Sequence, residues 1–236
     1  MNGEGDTFVI ETSGLAKSFG DRPAVESLDL TVGRGEMFCL VGPDGAGKRT
    51  AIRLLCGILE PTAGGGTVLG YSLTDEPEEV RTRVGYLSQA FTLYGDLTVD
   101  ENIEFFATLH GVSDFRGRRD ELLEFTRLTA ARGRPAANLS GGMKKKLALA
   151  CTLVHTPAIV FLDEPSTGVD PVSRSEFWSI LSDILDDGIT VVLTTPYLDE
   201  AERANQGNLI GMLQEVQERF GYLPREALAE LSPAKR

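Results

Sequence analysis

A glycine-rich loop that ends in a lysine carries the clearest chemistry of the sequence. Its residues are Gly42, Pro43, Asp44, Gly45, Ala46, Gly47 and Lys48. A compact apolar run, Met37 to Val41, precedes the loop, and a stretch of helical character, Thr50 to Leu59, follows it. Glycines let backbone N–H groups curl around an anion, a helix start adds positive potential, and a lysine reaches terminal phosphates. This order of elements therefore predicts a polyphosphate site rather than an ordinary glycine-rich turn.

Two acids follow a second apolar run. Ile159 to Leu162 is typical of a central parallel strand covered on both faces, and Asp163 and Glu164 come directly after it. A carboxylate at the carboxyl end of such a strand can hold Mg²⁺, and its neighbour can polarise an attacking water. Alone, the pattern is more often a buried strand that ends in solvated acids. Paired with the phosphate loop, it predicts Asp163 as a metal ligand and Glu164 as a catalytic residue.

A third segment combines a helix cap with bare backbone. Ser140 precedes Gly141 and Gly142, so a helix that begins here has a hydroxyl and side-chain-free N–H groups in its first turn. Such a helix start is an anion site. Serine caps are common in any helix, but this one lies shortly before the acid pair in a chain that already has a phosphate loop.

The hydrophobic pattern predicts the strands that position these groups. Besides the two apolar runs above, short β-type runs lie at Phe8 to Ile10, Leu28 to Val32, Val84 to Leu87 and Val191 to Thr194. The first two favour a small antiparallel sheet, and Val84 to Leu87 looks like another strand. Val191 to Thr194, like Ile159 to Leu162, favours a central parallel strand that is covered on both faces. Glycines 64 to 66 indicate a turn-rich stretch.

Helical spacing dominates the middle of the chain. Apolar residues recur at this spacing from Thr98 to Arg132 and again from Ser140 onward. Ser173 to Leu185 lies between two predicted parallel strands and is therefore a crossover helix. The alternation predicts an α/β core with a helical insertion between about residues 90 and 150. The lysines at 144 to 146 indicate a solvated helix face.

Composition argues against nucleic-acid binding. The 236 residues include 35 acidic and 23 basic side chains, for a formal net charge of −12. General nucleic-acid binding needs a basic footprint that displaces counterions. No apolar run approaches a membrane span, no secretory signal is visible, and Cys39, Cys56 and Cys151 lie scattered in apolar surroundings. We therefore expect a soluble cytosolic protein with buried, reduced thiols.

Together these motifs resemble those of ATP-binding subunits of the ATP-binding-cassette (ABC) family, from about Phe8 to Ala204. The resemblance implies an α/β fold, with a P-loop NTPase (RecA-like) core, a small antiparallel β subdomain and a helical signature subdomain. It implies ATP and Mg²⁺ as ligands, with Arg49 and Thr50 joining the phosphate loop at the ATP site. It also implies a head-to-tail pair with a second cassette, as a homo- or heterodimer.

Further positions match motifs of that family one by one. Phe19 is placed like the platform that stacks on adenine, although core packing is the commoner fate of a lone phenylalanine. Gln89 matches the glutamine that senses Mg²⁺, which implies a catalytic and weak metal-binding role. Ser140 and its two glycines match the signature that contacts the partner's ATP. Asp170 matches the loop where two subunits touch.

Two segments narrow the resemblance to exporters. Tyr94 to Val99 and Tyr197 to Glu202 look like those of exporters for drugs, polysaccharides or lipids, and especially like the first half of tandem-cassette multidrug export ATPases. The resemblance implies a multi-span membrane permease as partner. The helical insertion and the loop that contains Gln89 (the glutamine loop) would dock on this permease at the cytoplasmic face of the cell membrane.

Two positions depart from the family pattern within one composite site. Arg49 stands where the family has a Ser or Thr that binds Mg²⁺ directly, and a guanidinium only donates hydrogen bonds. Pro196 stands where the family has a histidine that contacts the γ-phosphate. Losing a positioned acid–base group typically lowers the rate by ~10²–10⁴-fold. We expect a subunit that binds ATP better than it hydrolyses it, unless another group substitutes or Glu164 suffices.

The last part of the chain departs from the family altogether. Leu213 to Pro224 resembles the helical start of the thioredoxin-like [2Fe–2S] subunit of NADH:quinone oxidoreductase. No cysteine follows Cys151, so the cluster ligands are absent and no redox function is implied. We therefore divide the chain into an ATP-binding domain at 7–204 and an atypical helical tail at 205–236. A natural fusion, a truncated reading frame and an assembly join all stay open for this tail.

Two other functions remain open at this point. A soluble regulatory cassette that acts on ribosomes or in DNA repair usually carries two cassettes in one chain, with long basic or coiled-coil insertions. A decayed, non-functional cassette is favoured by Arg49, Pro196 and the tail together. A multi-span permease in the neighbouring genes would favour export over decay.

Overall fold

The computed structural model describes residues 8–90 and 93–197, together with positions 200 and 204. The strands among these residues are Phe8–Phe19 (β1), Arg22–Gly33 (β2), Met37–Val41 (β3), Ala63–Val68 (β4), Tyr71–Ser72 (β5), Val84–Leu87 (β6), Ile159–Asp163 (β7) and Thr190–Thr195 (β8). The helices are Lys48–Leu55 (α1), Pro77–Arg83 (α2), Val99–Leu109 (α3), Phe115–Phe125 (α4), Gly141–Leu153 (α5) and Pro171–Asp186 (α6). The predicted tail at 205–236 lies outside the described residues.

A parallel sheet in the order β3-β8-β7-β6 forms the centre of the fold. The runs predicted as central parallel strands, at 159–162 and 191–194, form β7 and β8, and α6 is the predicted crossover between them. The runs at 37–41 and 84–87, predicted as strands, join the same sheet as β3 and β6. Parallel strands end at the same edge of a sheet, so the segments that follow β3, β7 and β8 meet there. In this register Asp163 on β7 is paired with Thr194 on β8, which brings the acid pair beside the end of β8.

The apolar runs of β7 and β8 are explained by two hydrophobic clusters, one on each face of this sheet. Val160 and Leu162 belong to the cluster built with α3, α4, α5 and α6. Ile159 and Phe161, which alternate with them, belong to the cluster built with α1 and the antiparallel sheet. Both faces of the strand are therefore covered, and each large side chain contributes about 1.5–3 kcal/mol through burial.

The antiparallel sheet has the order β2-β1-β4-β5. The prediction that glycines 64 to 66 form a turn-rich stretch was wrong. These glycines lie within β4, which pairs with β1, instead of forming turns. A Cβ on Gly64 would lie 2.0 Å from the carbonyl oxygen of Gly14, and one on Gly66 would lie 2.3 Å from that of Glu11. The glycines are needed because the backbones of two strands approach closely here.

The helical insertion is built from α3, α4 and α5. The continuous helical pattern predicted from Thr98 to Arg132 is interrupted after α3, where Gly111 adopts a φ of +71°. Thr98 forms a capping box with Glu101 at the start of α3. Nε of Arg132 donates to Asp100 at 3.0 Å and so ties the segment after α4 back to α3. The last helix of the insertion, α5, contacts both β6 of the central sheet and α6.

The three cysteines are buried and free, as predicted, and burial raises the pKa of each thiol. Within the part of the chain that the structure describes, no helix combines the length and apolar character required for a bilayer crossing.

Candidate functional site

The carboxyl edge of the parallel sheet opens into a cavity of about 500 Å³. It is lined by Ala24, Asp44, Gly45, Gly47, Lys48, Arg49, Thr50, Gln89, Glu164, Thr167, Pro196 and Tyr197. The structure therefore brings together the glycine-rich loop, one member of the acid pair, the glutamine and the proline that the sequence singled out. These residues come from four separate parts of the chain, and the sheet edge is what they share.

The shape of the loop between β3 and α1 depends on its glycines. Gly45 and Gly47 adopt φ values of +82° and +85°, which side chains rarely tolerate. A Cβ on Gly47 would lie 2.1 Å from the carbonyl oxygen of Ala24 on β2. Gly47 is also the residue immediately before α1, in the N-cap position, and no side chain caps this helix start. The first N–H groups of α1 therefore depend on water or a ligand, as at an anion site.

Lys48 is fixed at the wall of the cavity. Its side chain is 7% exposed, and its Nζ donates to the carbonyl oxygens of Gly42 at 2.6 Å and Pro43 at 3.0 Å. The same Nζ lies 3.7 Å from Oε1 of Glu164. A cation thus stands between the phosphate loop and the acid pair, where it can meet terminal phosphate oxygens.

Glu164 lies in the cavity with its carboxylate oriented by neutral donors. Nε2 of Gln89 donates to its Oε2 at 2.9 Å, and Oγ1 of Thr167 lies 3.5 Å from the same oxygen. Its backbone has a φ of +49°, a left-handed conformation that is uncommon outside glycine and tends to occur at functional sites. The Glu164 N–H donates to Oγ1 of Thr194 at 3.1 Å. This geometry suits a carboxylate that polarises a water at the cavity.

Asp163 is buried beneath Arg49. Its side chain is 1% exposed, Oδ1 accepts from Oγ1 of Thr194 at 3.1 Å, and Oδ2 accepts from Nε of Arg49 at 2.6 Å. Nη2 of Arg49 also donates to Oε1 of Gln89. The hydrogen bond to Asp163 raises the pKa of Arg49, which is therefore charged. The two predicted metal ligands, Asp163 and Gln89, are thus both bound to a guanidinium, and as arranged they do not fit a Mg²⁺ ion.

Pro196, the residue predicted to replace a histidine of the family, lines the cavity beside Tyr197. A buried carboxylate supports this loop from behind: Glu200 is 1% exposed and accepts from Oγ of Ser166 and from Oγ1 of Thr195, the latter at 2.6 Å. These contacts tie the segment after β8 to the segment after β7. Pro196 offers no N–H and no titratable group to a phosphate.

The signature and dimer-loop residues lie outside the cavity lining. Ser140 is exposed and caps α5 by accepting from the N–H of Met143 at 3.2 Å. Gly142 packs against α6, where an added Cβ would lie 2.4 Å from Oγ of Ser173. Asp170 caps α6 by accepting from the N–H of Ser173 at 3.0 Å. Both helix starts therefore present a small polar cap at the surface.

Phe19 is 53% exposed at the end of β1, so it is not part of the core. Nζ of Lys17 lies 5.6 Å from its ring centroid. Phe19 is absent from the residues that line the cavity, whereas Ala24 on the neighbouring β2 is among them. Its role as an adenine platform stays a prediction.

Sequence reasoning missed several residues that contact the acid pair or Gln89. For Thr194 the sequence offered a signal, because this residue ends a run predicted, like the run before Asp163, to be a central parallel strand. Nζ of Lys145 donates to the carbonyl oxygen of Gln89 at 3.2 Å, and burial lowers its pKa. Lys146 is buried and paired with Glu176. The prediction of a solvated lysine face was therefore wrong for two of its three members, because α5 faces both the glutamine loop and α6.

Comparisons with known proteins agree with this geometry. A profile of the ABC transporter family matches residues 25–167. The chain is 42% identical over 207 residues to YbhF of Escherichia coli K12, named "Probable multidrug ABC transporter ATP-binding protein", covering 86% of this chain and 35% of YbhF. It is 43% identical over 199 residues to the daunorubicin/doxorubicin resistance ATP-binding protein DrrA of Streptomyces peucetius, covering 84% of this chain and 60% of DrrA.

A solved ATP-binding subunit of an ABC transporter superimposes on the chain with a TM-score of 0.76 and 28% identity, covering 94% of this chain and 98% of that one. This likeness confirms the predicted P-loop NTPase fold with its antiparallel and parallel sheets. The chain spans about a third of YbhF and three fifths of DrrA. With the family profile matching more than half of its length, the chain belongs to the ABC transporter family.

Proposed function

We propose that this chain is the ATP-binding subunit of an ABC exporter and that its own ATP site binds nucleotide better than it hydrolyses it. The observation that carries the proposal is the cavity in which the uncapped start of α1, Lys48 and Glu164 face one another. Backbone N–H groups and a lysine suit a triphosphate chain, and domains of this family bind ATP. The substrate of export is proposed to be a drug-like, lipid or polysaccharide molecule. The drug-like class has the support of two relatives, which are named for multidrug transport and for daunorubicin/doxorubicin resistance.

Within this site each residue has a proposed task. Lys48 neutralises terminal phosphate oxygens, and Glu164 polarises the attacking water while Gln89 orients its carboxylate. The weak point is Pro196, which supplies neither a charge nor a hydrogen-bond donor at the γ-phosphate. Because a positioned acid–base group is worth ~10²–10⁴-fold in rate, hydrolysis at this loop is proposed to be slow.

The partner is proposed to be a second cassette. Ser140 and Asp170 are exposed at the starts of two helices and lie outside the chain's own cavity. Their position suits contact with a nucleotide that is held by another subunit's phosphate loop. In such an asymmetric pair this chain would complete a competent site on its partner and keep a slow site of its own.

A multi-span permease is the proposed membrane partner, with the cassette at the cytoplasmic face of the membrane. Support comes from the relatives, which are named as ATP-binding proteins of transport and resistance systems. The chain matches about a third to three fifths of the relatives' own lengths, so coupling to transport is proposed for this chain on the strength of its matched domain.

Single-turnover hydrolysis tests the slow site. Excess purified chain is mixed with radiolabelled ATP, and ADP formation is followed for the wild type, for Glu164→Gln and for the double variant Arg49→Thr/Pro196→His. The wild-type rate is expected to be slow, Glu164→Gln should lower it further, and the double variant should gain about 10-fold or more over the wild type. A rate normal for the family that Glu164→Gln abolishes would refute the slow-site proposal.

A further inference from the structure

Arg49 separates the nucleotide cavity from Asp163. The cavity is lined by Arg49, Gln89 and Glu164, whereas Asp163 is absent from its lining and 1% exposed. The Arg49 side chain is 53% exposed, so one part of it faces open space while its Nε contacts the buried carboxylate. Anything that approaches Asp163 from the cavity therefore meets the guanidinium first.

The oxygens that a hard cation would use here already accept hydrogen bonds. Oδ2 of Asp163 and Oε1 of Gln89 accept from two nitrogens of Arg49, and Oδ1 of Asp163 accepts from Oγ1 of Thr194. Mg²⁺ requires near-octahedral oxygen ligands, and a guanidinium provides none. Among the described residues, no cluster of three or more His, Cys, Asp or Glu side chains could hold a metal ion.

The positive charge of Arg49 also opposes a metal ion at Asp163. A divalent cation at Asp163 would have to displace a guanidinium that is hydrogen-bonded at 2.6 Å, or lie beside it as a like charge. The two contacts use two of the five N–H donors of Arg49, and the other three find no acceptor within the described part of the chain. A planar group with free parallel donors suits phosphate oxygens.

We propose that Arg49 is a resident cation that takes the place of Mg²⁺, so that this site binds nucleoside triphosphate without metal. The guanidinium stays on Asp163 and Gln89 and turns its remaining donors to the phosphate chain. The inference rests on the proposed function, namely that the loop from Gly42 to Lys48 binds a nucleotide. It goes beyond that function by naming the metal-free triphosphate as the bound species.

Isothermal titration with ATP, once in EDTA and once in excess Mg²⁺, tests the proposal. Wild-type protein should bind ATP no more tightly in excess Mg²⁺ than in EDTA, because Mg²⁺ sequesters the metal-free ATP that the site takes. Arg49→Thr should instead bind about 10-fold or more tightly with Mg²⁺. Arg49→Ala should bind weakly in both conditions, since it has neither the cation nor a hydroxyl ligand. Arg53→Thr removes a positive charge one turn further along α1 and should behave like the wild type.

Manganese paramagnetic resonance gives a readout that does not depend on activity. Wild-type protein added to Mn²⁺-ATP should withdraw metal-free ATP and raise the signal of free Mn²⁺. With Arg49→Thr the signal should stay low, because the metal enters the complex with the nucleotide. Circular dichroism of every variant establishes that it is folded.

Two outcomes are decisive in different ways. If Mg²⁺ tightens wild-type binding by more than about 10-fold and Arg49→Ala changes neither affinity, the guanidinium swings aside for the metal and the proposal is overturned. If folded wild type binds no ATP in either condition, or binds it no better than Lys48→Ala does, the proposed nucleotide site itself is wrong.

Discussion

Gly47 joins the phosphate loop to the antiparallel sheet at a point with no room for a side chain. Its φ is +85°, and an added Cβ would lie 2.1 Å from the carbonyl oxygen of Ala24. The loop can therefore keep its shape only if β2 stays where it is. This contact explains why a strand far from the chemistry, with Ala24 on it, lines the cavity.

Gly47→Ala is expected to lower the free energy of unfolding by about 3 kcal/mol, since it combines a strained φ with a clash against backbone. Urea denaturation followed by circular dichroism measures this difference. Gly45→Ala is the matched control: its φ is +82°, but nothing lies within 4 Å of the added Cβ. The control should lose only about 1 kcal/mol, and an equal loss in both variants would contradict the role of the Ala24 contact.

Two helix starts meet at Gly142. The Cβ that Gly142 lacks would lie 2.4 Å from both Cβ and Oγ of Ser173 near the start of α6, so the bare backbone of α5 packs against the Ser173 side chain. Ser140 and Asp170, the caps of these helices, lie two and three residues before Gly142 and Ser173 respectively. The arrangement links the signature segment to the loop after β7.

Gly142→Ala should push α5 and α6 apart and destabilise the fold by about 2 kcal/mol, despite the better helix propensity of alanine. Ser173→Gly in the same chain removes the obstructing atoms and should recover part of the loss, as a coupling energy of about 1 kcal/mol or more in a double-mutant cycle. Gly141→Ala, whose Cβ has only the Gly168 carbonyl oxygen at 4.0 Å, should change stability by less than about 0.5 kcal/mol. Additive effects of the two substitutions would speak against the contact.

The elements and motifs were predictable where the signal is local. The strands before Gly42 and Asp163 follow from short apolar runs, and the phosphate loop follows from its own residue types. Glycines 64 to 66 were assigned to turns because the sequence alone does not distinguish a glycine that permits close approach of two strands from a glycine that turns the chain. The pairing of Arg49 with Asp163 could not be predicted, because it depends on which side of α1 faces the end of β7.

At the scale of the whole molecule, the two departures from the family pattern lie on one cavity. Arg49 and Pro196 both line it, whereas Ser140 and Asp170, which the resemblance assigns to the contact with a second cassette, lie outside it. The proposed asymmetric pair, in which this chain hydrolyses its own nucleotide slowly and completes the site of its partner, accounts for this difference in position. All of these roles require that the loop from Gly42 to Lys48 binds a triphosphate chain.

Competition between ATP and inorganic tripolyphosphate tests that requirement most directly. The folded chain is equilibrated with radiolabelled ATP, and tripolyphosphate or adenosine is added in increasing amounts while bound label is measured by dialysis. The account predicts that tripolyphosphate displaces ATP and that adenosine does not, because backbone N–H groups and Lys48 bind the phosphates. Displacement by adenosine alone, or no retention of ATP by the folded chain, would contradict it.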